Sequence, residues 1–133
     1  MGIELEMVLR LLLAATLGAI IGYQRERAAK PAGLRTHVLI CVGAALFTVA
    51  SLYGFGAVAD PARVAAGIVA GIGFIGAGAI MRRDEGLIAG LTTAATIWAV
   101  AAVGLAAGAG LYLVSAVTTV IILIVLYLPH PIR

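Results

Sequence analysis

The sequence predicts an all-α fold, a polytopic membrane bundle of about five transmembrane helices. Composition is the first reason. The chain of 133 residues is 63% hydrophobic and 11% charged, with mean hydropathy +1.16. A soluble domain is about 45–50% apolar and about 25% charged. The second reason is distribution: the apolar residues form separate runs of a length that crosses a hydrocarbon core of about 30 Å. The third is that the charged and turn-forming residues fall between those runs. One helical bundle is all this length allows, so residues 1–133 read as a single transmembrane domain. The net charge of +3 lies in loops, where membrane topology requires basic residues, and does not point to nucleic acid. A single cysteine, Cys41, excludes an intrachain disulfide.

Helix 1 is expected over Ile3–Tyr23. Glu6 and Arg10 stand four apart, acid first, the favourable order for a helical ion pair. Arg10 is near enough to the end to snorkel to the surface. Gly18 and Gly22 give a small-xxx-small face. Glu4 and Glu6 stand where a cleaved signal peptide would be basic, so the segment is expected to remain as a span. The loop 24–36 carries Arg25, Glu26, Arg27, Lys30 and Arg35. Helix 2 is expected over His37–Tyr53, followed by a loop to Arg63 in which Asp60 and Pro61 also read as a helix start: Asp as N-cap, Pro at the first position.

Helix 3 is then expected to run to Met81. Its five glycines, Gly67, Gly71, Gly73, Gly76 and Gly78, would each cost a soluble helix roughly 1 kcal/mol against alanine. In lipid the helix is enforced, because the backbone must satisfy its own hydrogen bonds, and small residues let neighbouring helices approach. Gly71, Gly73 and Gly76 also match the dinucleotide pattern G-x-G-x-x-G. That pattern needs a preceding strand and an acid about 20 residues on. Here the glycines sit inside a long apolar run and position 96 is Thr, so a nucleotide site is rejected. Residues 82–86 (RRDEG) form the next loop. Helix 4 is expected over Leu87–Ala107, with Gly104, Gly108 and Gly110 marking its end. Helix 5 is expected over Tyr112–Leu128, stopped by Pro129 and Pro131.

Counting Lys and Arg in short loops puts Arg25, Arg27, Lys30, Arg35, Arg82, Arg83 and Arg133 on one side and Arg63 and Arg10 on the other. The N-terminus is therefore expected outside and the C-terminus in the cytoplasm. Helix 5, large and branched, is expected outermost; helices 3 and 4, rich in Gly and Ala, are expected to be central. Such small-residue faces also favour a homo-oligomer.

Each candidate site has an ordinary reading beside the functional one. Asp60 and Arg63 are an N-cap with an i,i+3 pair, or an outward-facing cation or proton site. Glu26 lies among arginines; it could pair with Arg35 or with the 82–83 loop and lock two loops together, as structure or as a gate. His37 and Cys41 share a helix face, but no third ligand or orienting acid is evident, so a buried thiol and an interfacial histidine are the simpler reading. Thr92, Thr93 and Thr96 can bond back to carbonyls one turn earlier or across to helix 3. No nucleophile, base and orienter converge, so neither an enzyme nor a metal or cofactor site is expected.

The segments GAIIGYQRE (18–26), AGLRTH (32–37), DPAR (60–63), GIGFIGAG (71–78) and GLTTAATIW (90–98) together resemble the MgtC/SapB family of bacterial membrane proteins. The resemblance spans nearly the whole chain. It implies an inner-membrane protein of about five helices, from a family linked to magnesium limitation, acid stress and survival inside host cells. It also implies a regulator acting on membrane partners such as the proton-translocating ATP synthase. Many members carry a soluble cytoplasmic domain after the last helix, and this chain is expected to lack it. With the resemblance, the functional candidates are Glu26, Arg35, Thr36, Asp60, Arg63, Thr92 and Thr93. The helix-packing candidates are Gly18, Gly22, Gly67, Gly71, Gly73, Gly76, Gly78 and Gly90. Two functions follow: a regulator that binds another membrane complex, or a small transporter or channel for magnesium, protons or potassium. Against the second, no carboxylate lies mid-helix, and magnesium prefers carboxylates and retained water.

Overall fold

The computed structural model describes residues 2–82 and 88–129. Among these, five helices follow one another: α1 (Ile3–Arg27), α2 (Leu34–Tyr53), α3 (Pro61–Gly78), α4 (Leu91–Gly108) and α5 (Tyr112–Leu126). α1 to α4 are long and apolar enough to cross a membrane; α5, with 15 residues, is shorter. Between α3 and α4 lies a two-residue antiparallel pair, β1 (Met81–Arg82) with β2 (Ile88–Ala89), in the register Met81 to Ala89 and Arg82 to Ile88.

Four helix boundaries differ by about a turn from those the sequence suggests, and each has a local cause. α1 runs a full turn beyond Tyr23, so Arg25, Glu26 and Arg27 are helical rather than in a loop. Arg25 stays because it is buried inside the bundle, not solvated. The helix ends in a Schellman arrangement: Lys30 N–H donates to Arg25 O and Ala29 N–H to Glu26 O, both 3.0 Å, with Ala29 left-handed at φ +58°. α2 begins at Leu34, a turn earlier than His37, because the Glu26 carboxylate accepts the Leu34 N–H at 3.0 Å and satisfies a donor the helix start would otherwise orphan. α3 ends at Gly78 and α4 starts only at Leu91, since the chain between them turns back on itself through β1 and β2. Gly90 is required at that return. Its φ is +91°, and a Cβ there would collide with the Ala79 carbonyl.

The larger core cluster is made by α1, α2 and α4; a smaller one, with Ala44, Ile97 and Ala101, takes in Ile72 of α3. Ala14, Leu17 and Ile21 meet Cys41 and Ala45, with Val100, Val103 and Ala107 closing the third side. The helices come this close because glycines line the seams. A Cβ on Gly18 would lie 2.8 Å from the Cys41 Cβ, and one on Gly22 2.9 Å from the Leu34 Cα. On α4 a Cβ at Gly104 would collide with the Cys41 carbonyl, and at Gly108 it would reach the Ala45 carbonyl at 2.5 Å. These two glycines are thus a packing seam, not merely the end of a helix. α5 lies on one flank of this trio, against α4 and α1, and α3 lies on the other, against α4 and α2.

α3 is therefore peripheral, not central. Only Ile72 and Gly76 of its residues are buried. Gly76 packs against Ala94 of α4, whereas a Cβ on Gly67, Gly71, Gly73 or Gly78 would meet nothing within 4 Å. Helix composition predicted close packing on several sides; among the described residues nothing stands within contact of a side chain at these four glycines.

Candidate functional site

Two features of this bundle are candidates for function: the charged groups sealed in by α1, and the open face of α3.

α1 turns one stripe inward: Arg10, Ala14, Leu17, Gly18, Ile21, Gly22 and Arg25, at the three- and four-residue spacing of a helix face. The stripe carries an arginine at each end. Arg10 is 6% exposed, so it does not snorkel to the surface. It forms the ion pair with Glu6, donates through Nε to the Tyr112 hydroxyl at 3.1 Å and through Nη1 to the Gly108 carbonyl at 2.9 Å. Its guanidinium also lies 5.3 Å from the centre of the Tyr53 ring. Charge, hydrogen bonds and an aromatic face together repay burial of the cation. The same bonds tie α1 to the end of α4 and the start of α5.

Arg25, at the opposite end, is 3% exposed and far less well served. Nη2 donates to Thr93 Oγ1 at 3.2 Å, and Nε finds no acceptor among the described residues. In the first turn of α2, His37 is fully buried; its Nδ1 bonds the Gly33 carbonyl at 2.8 Å and its Nε2 is without a partner among the described residues. A buried cation with so little compensation is costly, and in a membrane bundle such groups are commonly functional. Between the two arginines the bundle is filled by Leu17, Ile21, Val100 and Val103.

The residues singled out in the sequence do not gather into one place. Glu26 caps α2 and makes no ion pair with Arg35 among the described residues. Arg35 is exposed and Thr36 half-buried. Asp60 caps α3, accepting the Ala62 N–H at 3.0 Å, and both it and Arg63 are exposed with no ion pair between them among the described residues. Thr92 is exposed and its carbonyl accepts from Thr96 at 2.7 Å; Thr93 holds Arg25. Cys41 is buried in the core. Among the described residues no group of three metal-ligating side chains occurs. Residues 83–86 of the charged loop, and Arg133, lie outside the described residues.

Arg25 and Gly104 with Gly108 are the residues that reading the sequence passed over. Arg25 looked like one of several loop arginines. Its signal was position: it continues the Ala14, Leu17, Gly18, Ile21, Gly22 stripe. Gly104 and Gly108 were legible as an i,i+4 pair, the same spacing as Gly18 and Gly22.

α3 forms the second feature. It leans away from α2 and leaves an apolar groove of about 590 Å³. Leu39, Gly43 and Phe47 of α2 face Val64, Gly67 and Gly71 of α3 across it. Beyond the groove, Phe74 is 86% exposed. The groove offers shape and apolar surface and nothing to coordinate an ion.

A model of the MgtC family matches residues 11–133. The chain belongs to the MgtC family. MgtC of Brucella abortus (strain 2308) is 50% identical over 119 residues, covering 89% of this chain and 49% of that protein. YhiD of Escherichia coli (strain K12), whose name assigns it provisionally to magnesium transport, is 47% identical over 132 residues, 94% of this chain and 61% of its own. SapB of Bacillus subtilis (strain 168) is 40% identical over 139 residues, 98% of this chain and 60% of its own. The chain thus spans about half to three fifths of the length of these relatives. No solved structure matches. Within the family, this domain is a multi-pass membrane bundle of the described helices.

Proposed function

We propose that this MgtC-family domain is a regulatory membrane protein that docks a partner within the bilayer, in the bacterial response to magnesium limitation or acid stress. The observation that carries this reading is the state of α3. A long apolar helix that exposes Gly67, Gly71, Gly73 and Gly78 gains nothing from them in its own fold, and small residues in lipid-facing positions are the means by which membrane helices approach one another. A second copy, or a helix of another complex such as the ATP synthase that the family resemblance suggests, would use the face that Gly67, Gly71 and Gly78 share; Gly73 lies on the other side of the helix. The orientation that goes with this places the N-terminus outside and the Arg25 end in the cytoplasm, from the loop basic residues.

Cation transport is the second reading, favoured by the magnesium in the name of YhiD. Its obstacle is electrostatic. A cation moving through the centre of the bundle would meet Arg10 near one end and Arg25 near the other, with Leu17, Ile21, Val100 and Val103 between them. Two buried guanidinium groups and a dry apolar plug oppose a positive ion at every stage. Asp60, the carboxylate best placed for uptake, is occupied as a helix cap and stands away from this axis on α3.

Flux in proteoliposomes separates the two. The docking reading expects no proton, potassium or magnesium flux above empty liposomes. Specific flux that Asp60→Asn abolishes, from folded protein of verified orientation, would replace it with transport.

A further inference from the structure

The C-terminal turns of α1 and α5 diverge and leave a cavity of about 380 Å³ at the end of the bundle that carries the Arg25–Arg35 basic segment. Neither the docking face nor the buried arginines use it. Ile20, Tyr23, Gln24 and Arg27 of α1 line it, facing Leu123 and Tyr127 at the end of α5.

The chemistry changes in order along the cavity. Ile20 lies seven residues before Arg27, about two turns or roughly 10 Å deeper in the membrane. Leu123 lies one turn before Tyr127. The inner half is therefore apolar and continuous with the acyl-chain region. The outer half holds two tyrosines, the residues that favour the membrane–water boundary, and a guanidinium. Arg27 donates through Nη1 to the Tyr23 hydroxyl at 3.0 Å, and its charge lies 5.8 Å from the centre of the Tyr23 ring. Arg27 is exposed and forms no ion pair among the described residues. Because the Tyr23 oxygen accepts from Arg27, its own proton is free to be donated outward. Gln24 also lines the cavity; its Oε1 is itself buried.

We propose that this cavity binds the headgroup of an anionic glycerophospholipid of the phosphatidylglycerol type. The phosphodiester accepts from the Arg27 guanidinium and the Tyr23 hydroxyl, and an acyl chain follows Ile20 and Leu123 into the bilayer. A phosphatidylcholine headgroup fits the same volume but brings a cation toward Arg27. A free phosphate lacks the apolar part that the inner half of the cavity would cover.

Native mass spectrometry of the purified full chain in detergent tests this, with equimolar phosphatidylglycerol and phosphatidylcholine of identical chains. The expected preference for phosphatidylglycerol is about tenfold, because both lipids offer a phosphodiester but only phosphatidylcholine brings a compensating cation beside Arg27. Arg27→Gln should reduce it to about twofold or less. Tyr23→Phe, which removes a donor to the phosphodiester that both lipids carry, should lower retention of both. Leu123→Trp, which fills the apolar half and leaves the charge intact, should lower retention of both lipids. Arg35→Gln, an exposed arginine outside the cavity, should keep the full preference. Thermal melting of each variant establishes that it is folded; if Leu123→Trp is not, the Arg27 and Tyr23 variants decide the matter. Equal retention of the two lipids by the wild type would overturn the proposal. So would an undiminished preference in Arg27→Gln, or an equal loss in Arg35→Gln, which would mean diffuse attraction to the basic end. Complete displacement of the lipid by glycerol phosphate would also overturn it, since the site would then be one for a soluble phosphate.

Discussion

α3 and α4 are both 18 residues long, both apolar, and both rich in glycine and alanine, yet half of the membrane window of α4 is buried and only 11% of that of α3. The difference lies in where the small residues fall relative to partners. Gly104 and Gly108 of α4 sit opposite the Cys41 and Ala45 carbonyls of α2, at the same four-residue step on both helices. α4 is also tied at each end to α1, through Gly108 with Arg10 and Thr93 with Arg25. α3 is held by Ile72, buried with Ala44, Ile97 and Ala101, by the contact of Gly76 with Ala94, and by one weak tie from outside, the Ser51 hydroxyl donating to the Pro61 carbonyl at 3.3 Å. Glycine content marks a helix that can be approached; it does not say whether the approach is made within the chain or by something else.

Breaking the seam of α4 should have the largest effect. Gly104→Leu forces a side chain onto the Cys41 backbone and is expected to cost about 3 kcal/mol or more, at or beyond the top of the usual range for overpacking. Gly71→Leu, on the open side of α3, should change stability by less than about 0.5 kcal/mol. Denaturation midpoints of the two variants in the same detergent compare them directly, and similar losses would show that α3 is packed after all.

The end ties come next. Arg10→Met removes the Glu6 ion pair and the bonds to Gly108 and Tyr112, leaving the Glu6 carboxylate and the Gly108 carbonyl to find other donors. A loss of about 2–3 kcal/mol is expected. Tyr112→Phe should then cost less in the Arg10→Met background than in the wild type, because of its two bonds only the one it donates to the Glu6 carboxylate at 3.2 Å remains. Fully additive losses would mean that the Arg10–Tyr112 bond contributes nothing. Among the ties the smallest effect belongs to that on α3: Ser51→Ala should lower stability by about 0.5 kcal/mol, since a single long hydroxyl bond is lost. A loss as large as that of Arg10→Met would place α3 among the firmly held helices.

The existence and order of five helices could be read from the sequence, because each apolar run is long and each interruption holds Gly, Pro or charge. The charged residues made the ends illegible. Arg25, Glu26 and Arg27 look like loop by composition, but burial of Arg25 and the cap that Glu26 provides to α2 keep them in α1. The Glu6–Arg10 pair followed from local spacing; the Tyr112 and Gly108 partners of Arg10, about a hundred residues away, could not. The same limit applied to α3. Its glycines announced close packing, and only tertiary placement reveals that the chain itself supplies one such contact and leaves four positions open. In the candidate site, the caps on α2 and α3 explain Glu26 and Asp60 structurally, while the poorly compensated Arg25 gave no composition signal at all.

The central claim is that α3 is a docking face and α4 an internal one. Photocrosslinking in native bacterial membranes tests it most directly, with benzoylphenylalanine replacing Phe74, which is 86% exposed on α3, or Val103, which is 1% exposed on α4. The account predicts a discrete protein adduct from position 74 that Gly71→Leu abolishes, and only intrachain products from position 103. A position 74 that labels lipid alone, or an adduct indifferent to Gly71→Leu, would contradict it.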